Sequence, residues 1–109
     1  MKKSVWVVCL VVAMWLIAAG SFAQKAAPTG AGEAKFKEHC MICHPDGGNI
    51  VNPQKTLHKK DREANNIRTE ADILKIMRNP GPGMTQFDEK TVPDKDARAI
   101  AAYILKTFK

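Results

Sequence analysis

From Ala97 onward, apolar side chains recur at the spacing of one helical face. Ala97, Ile100, Ala101, Ile104, Leu105 and Phe108 follow the i, i+3, i+4, i+7 rule, and the pattern predicts a helix from about Pro93-Asp94 to the C-terminus. A second stripe, Ile73, Ile76 and Met77, predicts a shorter helix. Thr69 suits its N-cap, Glu70 and Asp72 sit at its positive end, and Asn79-Pro80-Gly81-Pro82-Gly83 stops it. Nearer the N-terminus, Gly32, Phe36, Cys40 and Cys43 are spaced by four, four and three, which puts them on one face of a helix over residues 32–41. Glu33 and Lys37 lie one turn apart on its outer side and are suited to pair. Between Pro45 and Arg68 no period holds. Gly47-Gly48-Asn49 and Asn52-Pro53 are turn signals there, with room only for short helical turns. A stretch this long without structure is unusual in a compact domain unless it wraps something. Strand alternation is missing throughout, and the chain carries no internal repeat or low-complexity tract, so the expected class is all-α.

The N-terminus follows a different pattern. Lys2 and Lys3 precede an apolar run from Val5 to Ala19, and Ser21-Phe22-Ala23 supplies small residues at the two positions a signal peptidase reads. The expected organisation is a secretory signal over residues 1–23, a flexible lead-in over 24–31 and a single domain over 32–109. Retention of the segment as an anchor is the alternative, although the run is short against the roughly 20 apolar residues that span a bilayer. Cys9 lies inside the signal and leaves with it.

Cleavage removes 23 of the 109 residues and leaves 86, and the loss of Lys2 and Lys3 takes the formal charge from +6 to +4. That mild basic bias is compatible with steering toward an acidic partner and too weak to argue for nucleic acid. A mature chain this short has little apolar surface with which to build an independent core. A disulfide between its two remaining cysteines, near neighbours in sequence, would close a loop with almost no entropy to lose. A large, flat, apolar cofactor would supply the missing interior.

Cys40-Met41-Ile42-Cys43-His44 points to that cofactor. Two thiols three residues apart on one helical turn can each add across a vinyl group of a haem. The histidine that follows then lies under the iron, and this spacing is the mark of c-type haem attachment. Other uses of the pair fit less well. A thioredoxin-like redox pair needs a βαβ setting, and a zinc site assembled from Cys40, Cys43, His39 and His58 has the wrong spacing. A proximal histidine needs an acceptor for its second ring nitrogen, and the carbonyl of Pro53 is the candidate; otherwise Pro53 only shapes a turn. Met84, in the proline- and glycine-stiffened loop with Phe87 close behind, is the candidate sixth iron ligand, a soft and neutral sulfur that favours the reduced state. His58 or an open position is the alternative. Met77, on a buried stripe, reads as core.

Several passages resemble a class I cytochrome c, nearest the small soluble cytochrome c6 type. Gly32 and Phe36 ahead of the Cys40–His44 motif resemble that family's first helix. Gly47-Gly48-Asn49 with Pro53-Gln54-Lys55-Thr56-Leu57 resembles its following loop, Gly83-Met84-Thr85-Gln86-Phe87 its ligand loop, and Ala101-Ala102-Tyr103-Ile104-Leu105 its last helix. The resemblance implies three to four helices wrapped around one covalently bound haem c. Phe36 and Tyr103 or Ile104 would lie where the first and last helices cross. His44 and Met84 would be the axial ligands of the iron, with the Pro53 carbonyl behind His44. One position departs: the family usually has proline after the ligand methionine, and here it is Thr85. That residue either loosens the loop or brings a hydroxyl near the sulfur, and either would move the potential.

The expected function is therefore outer-sphere transfer of single electrons between redox proteins outside the cytoplasm, by a monomer released to the periplasm or tethered to the outer face of the inner membrane. No acid, base or nucleophile is needed, and no catalytic residues are expected. If Met84 is not on the iron, the reading shifts to a haem-based small-ligand sensor or weak peroxidase. Lys55, Lys59, Lys60 and Arg62 form a basic stretch that either rings an exposed haem edge, facing acidic partners, or is a solvated surface interleaved with Asp61 and Glu63. Protein purified from the periplasm should begin at Gln24, which N-terminal sequencing checks; a start at Met1 would instead mark an anchored chain.

Overall fold

The computed structural model describes residues 29–109; the expected signal segment lies outside the described residues. Among the described residues, four α-helices follow one another: α1 (Thr29–His39), α2 (Lys59–Ala64), α3 (Glu70–Arg78) and α4 (Asp94–Thr107), with a short 3-10 turn, Pro45–Gly47, between α1 and α2. No strand occurs among the described residues. The all-α expectation is met.

α1 starts three residues earlier than its apolar face suggested and ends two residues sooner. The early stop has a local cause. The Phe36 carbonyl accepts from both Cys40 N (2.8 Å) and Met41 N (3.0 Å), so the regular ladder gives out there. The Cys40 carbonyl then accepts from Cys43 N and His44 N and starts a fresh turn. On the outer face, Lys37 Nζ donates to Glu33 at 2.6 Å, the pair anticipated from their spacing.

α1 crosses α4 closely. At Gly32 the two backbones approach so nearly that a Cβ would run into the Ala99 carbonyl. One turn on, Phe36 inserts between Tyr103 and Phe108, with ring centroids 5.2 and 5.5 Å away. α4 buries the stripe read from its sequence: Ala97, Ile100, Ala101 and Ile104 are enclosed, and Phe108 closes the end. Leu105, at the stripe's margin, is only partly covered.

α3 packs across the other part of α4. Thr69 caps it as expected, and the cap is reciprocal: Thr69 Oγ1 accepts from Asp72 N (3.2 Å), while Asp72 Oδ2 accepts from Thr69 N and Arg68 N, both at 2.9 Å. These backbone donors, first Arg68 and then Thr69, hold the Asp72 carboxyl below its ordinary range. The stabilisation is present above the unfolded carboxylate pKa and is lost as pH falls through the lower folded value. Ile73 and Met77 enter the core, whereas Ile76 is half-buried.

α2 is too short for periodicity to reveal. Tertiary hydrogen bonds hold it in place. Lys59 N donates to the Phe108 carbonyl at 3.0 Å, and Arg62, only 4% exposed, donates from its guanidinium to Leu57 O (2.7 Å) and Phe108 O (3.2 Å). The expectation that Arg62 belongs to an exposed basic stretch is thereby corrected. The chain curls so that the C-terminal end of α4 draws this side chain inward. Replacing Gly32 by alanine should cost about 2 kcal/mol through the forced separation of α1 and α4, read by guanidinium unfolding of the holoprotein with Gly30→Ala, where a Cβ meets nothing, as the control.

Candidate functional site

A cavity of about 300 Å³ opens beside the α3–α4 layer, and Cys40, Cys43, His44 and Met84 all line it. Its walls are of two kinds. Leu57, Ile67, Ile73, Ile76, Ile100 and Ile104 make an apolar surface, whereas the segment between Asn49 and Asn65 contributes polar side chains. The long unpatterned stretch thus lies along the cavity, as its length suggested.

The 3-10 turn sets the His44 ring. Asp46 (φ 51°) and Gly47 (φ 77°) reverse the chain, Gly47 N donates back to His44 O, and Leu57 N donates to Gly47 O at 2.7 Å. Any side chain at Gly47 would strike the Phe108 ring. The reversal brings the Gly48 carbonyl to 2.7 Å from His44 Nδ1. A carbonyl can only accept, so Nδ1 carries the proton and the Nε2 lone pair is left for a metal. The partner is Gly48, where the sequence reading had placed Pro53. Pro53 is exposed and serves the next turn, because the tight curl of Asp46-Gly47 delivers a nearer carbonyl first.

Cys40 is buried and Cys43 half-buried, and both are free thiols. Burial, with the neighbouring Cys43 second, pushes the Cys40 thiol up to about 11. A neutral sulfur suits this wall, and a thioether is neutral at every pH. Among the described residues no three His, Cys, Asp or Glu side chains converge to cage a metal, so the zinc alternative has no site there. A metal at His44 must bring most of its own ligands. A haem fits these requirements: it is flat and apolar, offers two vinyl groups to two thiols, and carries its iron in a ring of four nitrogens.

Met84 is half-buried on the cavity wall, while His58 is exposed, packs edge-on to Phe108 at 5.8 Å and does not line the cavity. Sequence reading missed what steadies the Met84 loop. Phe87 N donates to Met77 O at 2.9 Å, and Gln86 Nε2 to Arg78 O at 2.9 Å. Arg78 spans the loop's exit, giving one guanidinium nitrogen to the Phe87 (2.8 Å) and Val92 (3.0 Å) carbonyls and the other to Asp94 at 2.6 Å. The loop with Thr85 is thus tied to α3 and to the start of α4 from outside the cavity.

A small helical domain that places a Cys-x-x-Cys-His turn on an apolar cavity defines a c-type haem protein. The chain belongs to the cytochrome c family: the family described as cytochrome C oxidase, cbb3-type, subunit III, matches residues 27–104. It is 36% identical over 107 residues to cytochrome c6 of Pyropia yezoensis, covering 96% of this chain and 94% of that one. It is 38% identical over 80 residues to cytochrome c6 of Synechocystis sp., a match that covers 73% of this chain and 66% of the relative's length. Among solved structures, outer membrane cytochrome OmcF of Geobacter sulfurreducens is similar with a TM-score of 0.70 at 49% identity, over 72% of this chain and 99% of that chain. The fold is that of a class I cytochrome c, and its cofactor is covalently bound haem c with iron.

Breaking the Arg78 clasp should loosen the loop locally. In Arg78→Met, amide exchange at Phe87 should speed up about tenfold or more, since hydrogen bonds to a charged group contribute about 1.5–3 kcal/mol, while exchange within α1 stays unchanged.

Proposed function

We propose that this protein is a monohaem electron carrier in which Cys40 and Cys43 hold the haem through thioethers and His44 Nε2 and Met84 sulfur take the two axial positions of the iron. The observation that carries the reading is the meeting of these four side chains on one cavity while Gly48 fixes the His44 ring with Nε2 free. The haem, when bound, supplies a one-electron iron couple. The chain does the rest by keeping the surroundings still. Gly48 locks the imidazole tautomer, the clasp of Arg78 steadies the Met84 loop, and the isoleucine walls exclude water so that little has to reorganise when charge changes. No side chain has to bind a substrate or move a proton, so the protein acts as a carrier rather than an enzyme.

The partners are other redox proteins. Ile42 (82% exposed), Ile50 (63%) and Val51 (56%) are large apolar residues left uncovered near the haem motif, and Val51 with Gly83 borders the cavity. Such a surface favours brief contact between haem edges. Lys55 and Lys60 are exposed on the neighbouring stretch and suit an acidic partner, whereas Lys59 is engaged with Glu63 at 3.9 Å and Arg62 is buried. No helix among the described residues is long and apolar enough to cross a membrane. The leader pattern supports export to the periplasm, and a monomer suffices for the task.

The test is made on protein matured in a host that attaches haem. In denaturing acid its mass should exceed that of the peptide by one haem. The ferric form should show the weak far-red band of methionine-ligated iron, and carbon monoxide should barely perturb the ferrous form. Met84→Ala should abolish the band, admit carbon monoxide and lower the midpoint potential, while His58→Ala should do none of these. A chain that releases its pigment in acid would end this reading, and rapid carbon monoxide binding to the wild type would favour a ligand sensor.

A further inference from the structure

The Met84 loop is hydrogen-bonded to one side of the molecule only. Its bonds run to Met77 and Arg78 of α3, and Arg78 in turn reaches Asp94 at the start of α4. No hydrogen bond or ion pair among the described residues joins residues 79–93 to α1 or to the Cys40–His44 turn. In the carrier reading the two axial ligands of the iron come from these two separate segments. A contact of another kind has to keep them in register.

His39 makes that contact. It is the last residue of α1, three positions beyond Phe36 and at the margin of the helix's buried face, and its side chain is only 17% exposed. Its ring meets Phe87 edge-on, with centroids 6.0 Å apart and planes at 70°. Phe87 is fixed for the encounter, because its N–H donates to Met77 O at 2.9 Å and its carbonyl accepts from Arg78 at 2.8 Å. A charge role for His39 fits less well. Its Nε2 lies 3.5 Å from Glu38 Oε1, too far for a good hydrogen bond, and the other oxygen of Glu38 already accepts from Lys35 at 2.9 Å. The imidazole is therefore used as a ring.

We propose that His39 is a positioning residue for Met84: by bracing Phe87 from the end of α1, it holds the methionine loop at a set distance from the Cys40–His44 turn. The assignment rests on the carrier reading above and adds the device that keeps the sulfur on the iron. Neither ring lines the cavity, so the pair acts from outside it. His39 is joined directly to Cys40, and Phe87 follows Met84 by three residues, so a shift at the ring contact is passed to both walls. An edge-on aromatic pair favours the closed arrangement over an open one by roughly threefold to tenfold. Loss of the pair should release Met84 more often by that factor, while the thioether turn stays in place.

The wild type, His39→Ala, His39→Phe, Glu38→Gln and Phe87→Leu are prepared as holoproteins, each weighed to confirm one covalent haem. Two quantities are read: the slow rate at which saturating carbon monoxide replaces methionine on ferrous iron, and the far-red band of the ferric form. His39→Ala should raise the rate about fivefold, within the range an aromatic pair supports, and should weaken or shift the band. His39→Phe restores an edge-on ring and should return both to wild-type values, which a general loss of packing would not do. Glu38→Gln should change neither; an acceleration there equal to that of His39→Ala would make the contact one of charge and overturn the proposal. A wild-type rate and band in His39→Ala would also overturn it. If that variant fails to accumulate, Phe87→Leu has to show the acceleration, and an unchanged rate there decides against the proposal. A wild type that binds carbon monoxide at once would instead defeat the Met84 ligand reading, so the two failures are distinguishable.

Discussion

The isoleucine and methionine side chains that α3 and α4 bury between them govern this fold, and the same residues form the apolar wall of the cavity. In a domain this small, Ile73, Ile76, Met77, Ile100 and Ile104 form a large share of the apolar surface available for burial. The helices pack well where they touch each other, at α1 against α4 and α3 against α4, but they do not close over the cavity. The cavity they leave open is where a haem would complete the interior of the domain.

The crossing of α1 and α4 connects the core to the haem motif. Gly32 lets the backbones meet, Phe36 fills the space between Tyr103 and Phe108, and the Phe36 carbonyl ends the helix at the point where Cys40 begins. A change in the crossing would therefore be felt at Cys40, Cys43 and His44. On the other side, Gly47 links the His44 turn to Leu57, and Leu57 and Phe108 both accept from Arg62. His44 and the buried Arg62 thus belong to one hydrogen-bonded circuit closed by the end of α4.

The Met84 loop is steadied by different means. Its conformation is set partly by Gly83, at φ 89° with a Cβ position only 2.7 Å from Val51, and partly by the contacts of Arg78. The three acceptors of the Arg78 side chain, at Phe87, Val92 and Asp94, lie 9, 14 and 16 positions further along the chain. With Thr85 in place of proline, stiffness comes from a side chain reaching across the loop instead of from the backbone itself.

The sequence by itself determined the all-α class, the capped start of α3 and the buried stripe of α4. It also singled out Cys40, Cys43, His44 and Met84, which the structure gathers on one cavity. Each of these is written in residues a few positions apart, where helical spacing, a cap or a five-residue motif carries the information. The tertiary structure decided three other matters: that Gly48 rather than Pro53 faces His44, that Arg62 turns inward, and that Arg78 clasps the Met84 loop. None of them has a local signature. The carbonyl that reaches His44 depends on a left-handed curl, and the burial of Arg62 depends on a carbonyl 46 residues away in sequence. Short-range patterns report helices and motifs, whereas hydrogen bonds between distant segments exist only once the chain has folded.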